Sequence, residues 1–228
     1  MQQAQAGSGY YLVSVYENAG EKTLDFKSWT SLNNNQSSTT APEIGFGYMP
    51  DTRWYTELYG TWIRHGADHL QANSLTWQND YLLTQGDYPF DLALHTHLEH
   101  YSDTSRGLGF EFGPALQTDV GRVQLNGNVF FERSYRSEQS SSMQMKYQWQ
   151  AKYRWKPALA FGLQGFGELG TWNHWLPTAR QSHRIGPVMS GDLPIADRQT
   201  LRYEIAWFSG KLSGHPAHVL SMRMQLAF

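Results

Sequence analysis

The chain has 228 residues, of which 40% are hydrophobic, 14% aromatic and 17% charged, and it contains no cysteine. The abundance of aromatic side chains excludes a disordered or collagen-like chain, and the lack of cysteine excludes a disulfide scaffold or a thiol nucleophile. A net charge of -2 gives no basic balance that would favour nucleic acid. The length fits one large β domain, so we predict a single domain over residues 1–228.

In chain order, segments of about ten residues alternate between apolar and polar side chains, and turn residues separate them. Short turns such as residues 50–52 alternate with long polar loops such as residues 102–107. An even number of strands and alternating turn lengths are typical of outer-membrane barrels. We predict an all-β fold, a closed antiparallel transmembrane β-barrel with short periplasmic turns and longer extracellular loops. Its strands, about twelve, are expected near residues 22–31, 42–49, 53–65, 70–83, 90–101, 107–118, 122–134, 143–155, 158–171, 182–190, 198–210 and 218–228.

The first twenty residues leave two topologies open. Residues 10–16 also alternate like a strand, and counting them separately would make the number of strands odd. Residues 10–29 then form one long first strand with a bulge near Gly20, or the first strand is preceded by a periplasmic or lumenal segment. Residues 1–20 are accordingly an N-terminal extension or part of a long first strand.

The direction of the alternation decides between a membrane barrel and a soluble β domain. The mean hydropathy of -0.56 suggests a soluble protein, but this average combines an apolar face with a polar one. Aromatic residues lie near strand ends on the apolar face, as interfacial girdles require, whereas the polar face is rich in Gln, Asn and mixed charge, as a wet lumen requires. In hydrocarbon every backbone polar group needs a partner, so the strands must close.

The end of the chain carries a class signature. One face of the last strand is apolar and the chain ends in an aromatic residue, the set being Leu220, Met222, Met224, Leu226 and Phe228. This arrangement resembles the C-terminal signal of Gram-negative outer-membrane β-barrel proteins. The resemblance implies a location in the bacterial outer membrane, insertion by the barrel-assembly machinery, and contact with outer-membrane lipids and lipopolysaccharide.

The polar face of the strands predicts a charged lumen. Acidic residues come mainly from the first two-thirds of the strands and basic residues from the rest, so closure would place opposite charges on facing walls. We predict a narrow porin-like channel for small polar or charged solutes, similar in architecture to small monomeric outer-membrane channels. The alternative is a structural barrel whose lumen is plugged by salt bridges. The residues assigned to the lumen are Glu57, Asp80, His95, His97, Glu99, Glu111, Glu132, Lys146, Lys152, Arg154, Glu168, Arg184, Arg202, Glu204 and Arg223.

Two histidines on one lumenal wall are candidate metal ligands. His95 and His97 are neighbours on one face of a strand, about 6.6 Å apart along it. They can share a metal if a third ligand arrives from another strand, and Glu57 or Glu111 could supply it. We favour the alternative, a hydrogen-bonded pair of histidines without metal, and therefore expect no metal and no cofactor.

A second alternative function is enzymatic. His100 and Ser102 stand at the outer end of a strand, and this spacing resembles the His-x-Ser of outer-membrane lipid A deacylases, in which the His activates the Ser. Such an enzyme needs an acid that orients the His, and Asp103 has the wrong parity. We therefore favour a channel without catalytic residues and keep His100 and Ser102 as the rival site.

Overall fold

The computed structural model describes residues 10–15, 19–33, 37–138 and 142–228. Within these residues no helix is long and apolar enough to cross a membrane. The described parts of the chain contain one short 3-10 helix, Thr104–Arg106, and thirteen strands. The strands are β1 Lys22–Asn33, β2 Thr39–Tyr48, β3 Trp54–His65, β4 Gln71–Leu82, β5 Asp91–Tyr101, β6 Leu108–Val120, β7 Val123–Tyr135, β8 Gln144–Lys156, β9 Leu159–Thr171, β10 His174–Trp175, β11 Ser182–Ala196, β12 Gln199–Leu212 and β13 His215–Ala227.

Twelve of these strands form a closed antiparallel barrel, as predicted. Each long strand pairs with the next along the chain, and the two-residue β10 only extends the edge of β9. The barrel is closed by the first and last strands, which pair from Thr23 opposite Ala227 to Asn33 opposite Ala217. Closure removes the free edges that hydrocarbon could not satisfy.

The predicted strand bounds agree with the structure to within two residues except in β2, β11 and β13. β2 begins at Thr39 rather than at residue 42. β11 continues to Ala196, beyond the predicted end at residue 190, and β13 begins at His215 rather than at 218. A bulge near Pro194 keeps β11 paired with β12, and Pro216 lies opposite Lys211 in an unbroken ladder. Proline is tolerated at such strand ends and bulges.

The barrel is apolar outside and polar inside. Large apolar side chains at mid-strand, such as Leu58, Leu98 and Ile205, are 40–52% exposed. Their neighbours in sequence point inward and are buried although many are charged. Only lipid suits a continuous apolar exterior of this kind, and the chain is a transmembrane barrel of the outer-membrane type, as predicted.

Residues 10–15 run inside the barrel without forming a strand, and we call them the lumenal segment. β1 begins after them at Lys22. Two buried apolar clusters hold the segment: one contains Tyr10, Phe166, Val188, Ala206, Phe208 and Val219, and the other contains Val13, Val15, Leu82, Ala93, Ala115 and Phe130. Residues 1–9 and 16–18 of the predicted extension lie outside the described residues.

Candidate functional site

The first group of charges in the lumen joins β1, β3 and β13. The ammonium of Lys27 lies 3.0 and 3.1 Å from the carboxylate oxygens of Glu57 and 3.7 Å from Asp25. Arg223 donates to Asp25 from Nε at 2.8 Å. Tyr55 donates its hydroxyl proton to Glu57 at 3.2 Å. These buried charges therefore satisfy one another within a small part of the wall.

A second group joins strands β4 to β8. Lys146 donates to Glu111 at 3.1 Å and also contacts Glu132. His95 lies between two carboxylates: its Nδ1 is 2.6 Å from Asp80 Oδ1, and its Nε2 is 3.6 Å from Glu111 Oε1. With the neighbouring His97, this group contains two imidazoles, three carboxylates and one lysine.

Two further arginines are paired. Arg184 donates to Glu168 at 2.8 Å and to the hydroxyl of Tyr10 at 2.5 Å. Arg202 forms a two-point contact with Glu21, at 2.5 and 2.9 Å. Because each charge is neutralised by its neighbour, paired charges of this kind produce only a weak electric field across the lumen.

Most of the predicted lumenal charges pair with a charge on the same strand or on a nearby one. Seven of the predicted residues are buried, namely Glu57, Asp80, His95, His97, Glu99, Glu111 and Arg184. Seven more are half-buried, namely Glu132, Lys146, Lys152, Glu168, Arg202, Glu204 and Arg223. Arg154 differs from the rest, because it pairs with Asp119 at 2.9 Å near a mouth of the barrel, where both side chains are 43% exposed.

Among the described residues, three buried charges of the lumen were missed by sequence reasoning: Asp25, Lys27 and Glu43. Each is buried in the barrel. Because the start of the first strand was left open, Asp25 and Lys27 were not assigned to the lumenal face. They do alternate with the apolar residues Leu24 and Phe26. Glu43 sits between Pro42 and Ile44, where the polar face of β2 is otherwise built from glycine and alanine.

A cavity of about 590 Å³ opens inside the short-turn end of the barrel. Glutamine and asparagine side chains of β6, β7 and β8 line it, together with charged residues of both signs. The lumenal segment borders it through Leu12 and Ser14. The charged lining residues are Lys152, Arg154, Lys156, Asp192, Arg202, Glu204 and Arg223.

The lumenal segment forms the inner end of this cavity. The amide of Val13 donates to Gln148 at 3.1 Å, and Asn128 donates to the carbonyl of Val13 at 3.1 Å. Ser221 donates to the carbonyl of Tyr10 at 3.1 Å. Toward the long-loop end lies a cavity of only about 60 Å³, lined in part by Lys146 and Glu168. The segment and its partners therefore occupy the middle of the barrel.

His100 and Ser102, the alternative enzymatic site at the rim of the barrel, do not form a catalytic triad with an acid. His100 points outward at the end of β5, and Ser102 donates its amide proton to Asn73 O at 2.8 Å. Asp103 caps the 3-10 helix and accepts from the amide and the hydroxyl of Ser105 at 3.0 and 2.7 Å. These hydrogen bonds lower the pKa of the Asp103 carboxyl. Within the described residues, His100 forms no hydrogen bond or ion pair with a carboxylate.

This arrangement defines a class: a closed transmembrane barrel of twelve strands with a polar lumen that its own N-terminal residues enter. Solved structures share the fold. The NanC porin superposes with a TM-score of 0.61 at 10% identity, over 90% of this chain and 98% of that one. The COG4313 outer membrane channel from Pseudomonas putida F1 gives a TM-score of 0.61 at 10% identity, over 98% and 100%.

A third similar structure is the KdgM porin, with a TM-score of 0.55 at 9% identity over 88% of this chain and 97% of that one. The same porin has also been solved in complex with disordered oligogalacturonate, and that structure superposes with a TM-score of 0.53. No protein-family model matches the chain, and no curated protein matches it in sequence. At these identities the likeness establishes the fold, and function must be argued from the lumen.

Proposed function

We propose that this barrel is an outer-membrane channel for small polar solutes, zwitterionic ones included. The observation that carries the proposal is the cavity of about 590 Å³ inside the short-turn end, which is large enough for a small hydrated solute. A purely structural barrel has no need of such a cavity. The two porins and the outer-membrane channel described above share this fold, which supports the same class of function.

The charges around the cavity support weak ion selectivity. Arg154, Arg202 and Arg223 are each neutralised by an acid. The remaining charged lining residues are two lysines, Lys152 and Lys156, and two acids, Asp192 and Glu204. A lining with equal numbers of both signs attracts dipolar and zwitterionic solutes without excluding either ion. The oligogalacturonate bound by the KdgM porin is an acidic saccharide, and a strongly anion-selective lumen is not expected here.

The lumenal segment is the gate in this proposal. It lies across the middle of the barrel and is held by side chains and two apolar clusters rather than by strand pairing. Moving it aside would join the large cavity to the opposite mouth without breaking any barrel strand. In this proposal the docked arrangement of the segment is the closed state, and conduction requires the segment to leave its site.

Single-channel recording in planar bilayers tests the proposal. Wild-type protein is expected to open briefly, and a variant that lacks residues 1–15 is expected to conduct for most of the recording. The chain has no cysteine, so a disulfide lock can be added cleanly: Val13→Cys with Ala115→Cys joins two members of one buried cluster. The oxidised pair should remain closed, and reduction should restore wild-type openings.

Ion selectivity is tested with a matched pair of charge-reversal variants. Lys152→Glu changes the charge of the cavity lining, so its reversal potential in a salt gradient should shift toward cations. Lys211→Glu makes the same change on an exposed, outward-facing residue of β12 and should leave the reversal potential unchanged. If correctly folded protein without residues 1–15 carries no current, the proposal is wrong and the barrel is a plugged, structural one.

A further inference from the structure

Three potential metal ligands meet on the inner wall of the barrel. His95 and His97 lie on β5, and Glu111 lies directly opposite His97 on β6. One ligand atom from each residue lies within 4.8 Å of the others, and His95 Nε2 is 3.6 Å from Glu111 Oε1. Ligand atoms of a tetrahedral Zn²⁺ site are separated by about 3.4 Å, given bonds of about 2.0–2.2 Å. Small side-chain movements would therefore complete such a site.

Polar atoms of these three residues lack hydrogen-bond partners among the described residues. His95 Nε2, both ring nitrogens of His97 and Glu111 Oε1 are buried and form no hydrogen bond with any described residue. The three residues are 0%, 3% and 2% exposed, respectively. Buried polar atoms are nearly always satisfied. Each of the three residues therefore offers an unpartnered ligand atom, and three such atoms in one place indicate that something polar belongs between them.

Neighbouring groups orient the ligands as they do in metal sites. Asp80 Oδ1 lies 2.6 Å from His95 Nδ1 and accepts a proton from it, so that in the neutral imidazole the lone pair is on Nε2. Lys146 binds Glu111 through Oε2 at 3.1 Å, which leaves Oε1 free. The ring of Phe130 packs 4.6 Å from that of His95 and fixes its plane. A carboxylate behind a histidine is the usual second layer of a zinc site.

We propose that His95, His97 and Glu111 bind one divalent transition metal ion, with Zn²⁺ as the representative of the class. Three protein ligands leave a fourth position for water or for a passing ligand. Two imidazoles and one carboxylate favour Zn²⁺ and its neighbours over Mg²⁺ or Ca²⁺, which require mostly oxygen ligands. The site goes beyond channel function, because binding can be measured whether or not the barrel conducts.

The rival arrangement is a metal-free imidazolium that bridges Asp80 and Glu111. It would satisfy His95, since both of its ring nitrogens then face carboxylates. It does not satisfy His97, whose only ion-pair neighbour among the described residues is Glu99 at 3.8 Å, beyond hydrogen-bonding distance. The two arrangements differ in their response to metal, so a binding experiment separates them.

The test is titration of folded, chelator-treated protein in detergent with Zn²⁺ against a competing chelator, and with Co²⁺ followed by its visible absorption. Wild-type protein should bind one equivalent of Zn²⁺, and bound Co²⁺ should show the intense absorption of a tetrahedral site. His97→Gln should abolish this binding. Asp80→Asn, which keeps all three ligands, should weaken the affinity by about 10–100-fold.

The matched control is His69→Gln, which removes an exposed histidine in the loop before β4 and should leave the affinity unchanged. Heat-modifiable migration on gels checks that each variant is folded. If His97→Gln fails to fold, the Co²⁺ spectrum of wild-type protein still shows whether the tetrahedral site exists. The proposal is overturned if wild-type protein binds no Zn²⁺ above the level of His97→Gln, or if bound Co²⁺ shows only the weak absorption of hydrated ion.

Discussion

The replacement Tyr10→Ala tests the attachment of the lumenal segment most directly. The ring of Tyr10 packs edge-on against Trp29 at 5.0 Å and Phe166 at 6.0 Å, and it stacks with Phe208 at 6.3 Å. Its hydroxyl accepts a hydrogen bond from Arg184 at 2.5 Å. The side chain is 8% exposed. No other residue of the segment makes as many contacts with the barrel side chains described above.

The expected magnitude follows from these contacts. Truncating a buried aromatic side chain to alanine costs about 3–5 kcal/mol. Because the barrel strands do not depend on Tyr10 for pairing, most of this loss falls on the docking of the segment. At about 1.4 kcal/mol per tenfold change, the ratio of docked to undocked segment should fall by roughly two to three orders of magnitude. Tyr10→Phe keeps the ring and removes only the hydrogen bond, so its effect should be smaller.

The assay is the modification rate of Val13→Cys by a soluble maleimide, measured in detergent with and without the change at Tyr10. Val13 is buried when the segment is docked, so the rate reports the undocked fraction. We expect a large acceleration in Tyr10→Ala, an intermediate one in Tyr10→Phe, and unchanged heat-modifiable migration in both. Equal rates in all three backgrounds would refute the reasoning that Tyr10 anchors the segment.

Three further predictions concern the barrel. Lys27→Met should destabilise it by about 3–5 kcal/mol in urea unfolding, because Glu57 is left buried without its cation while Asp25 keeps only Arg223; adding Glu57→Gln should recover part of the loss. Ile205→Lys places a charge on the lipid-facing side of β12 at mid-strand and should lower the free energy of unfolding in lipid vesicles by about 2–4 kcal/mol. Phe228→Ala should lower the amount of assembled barrel in cells while refolding into detergent is unchanged; equal assembly in cells would contradict the role of the C-terminal signal.

The strands could be predicted from the sequence because their signal is local. A side chain that alternates between lipid and lumen leaves a period of two, and residues such as Leu220 and Met222 show it without any knowledge of neighbours. The lumenal segment could not be predicted in this way. Residues 10–16 also alternate, yet Tyr10 and Val13 contact β7, β8, β9 and β13, which are more than a hundred residues away along the chain.

The pairing of charges was also beyond the sequence. Parity placed Glu57 and Glu111 in the lumen but gave no register between strands. The register puts Glu111 opposite His97, whereas Glu57 is bound to Lys27. Whether Glu57 or Glu111 can be the third ligand beside the two histidines therefore depends on the register of strand pairing. That register cannot be derived from a single sequence.

The two parts of the molecule are held by different forces, and this leads to a last prediction. Each barrel strand is hydrogen-bonded along both edges, whereas the described part of the lumenal segment is held by two apolar clusters and hydrogen bonds to side chains. Weakly attached elements open below the global free energy of unfolding. In a urea titration, Val13→Cys should therefore become reactive before the β-sheet signal in circular dichroism is lost. Coincident transitions would mean that the segment is an integral part of the barrel, and a gate that opens without unfolding would then be excluded.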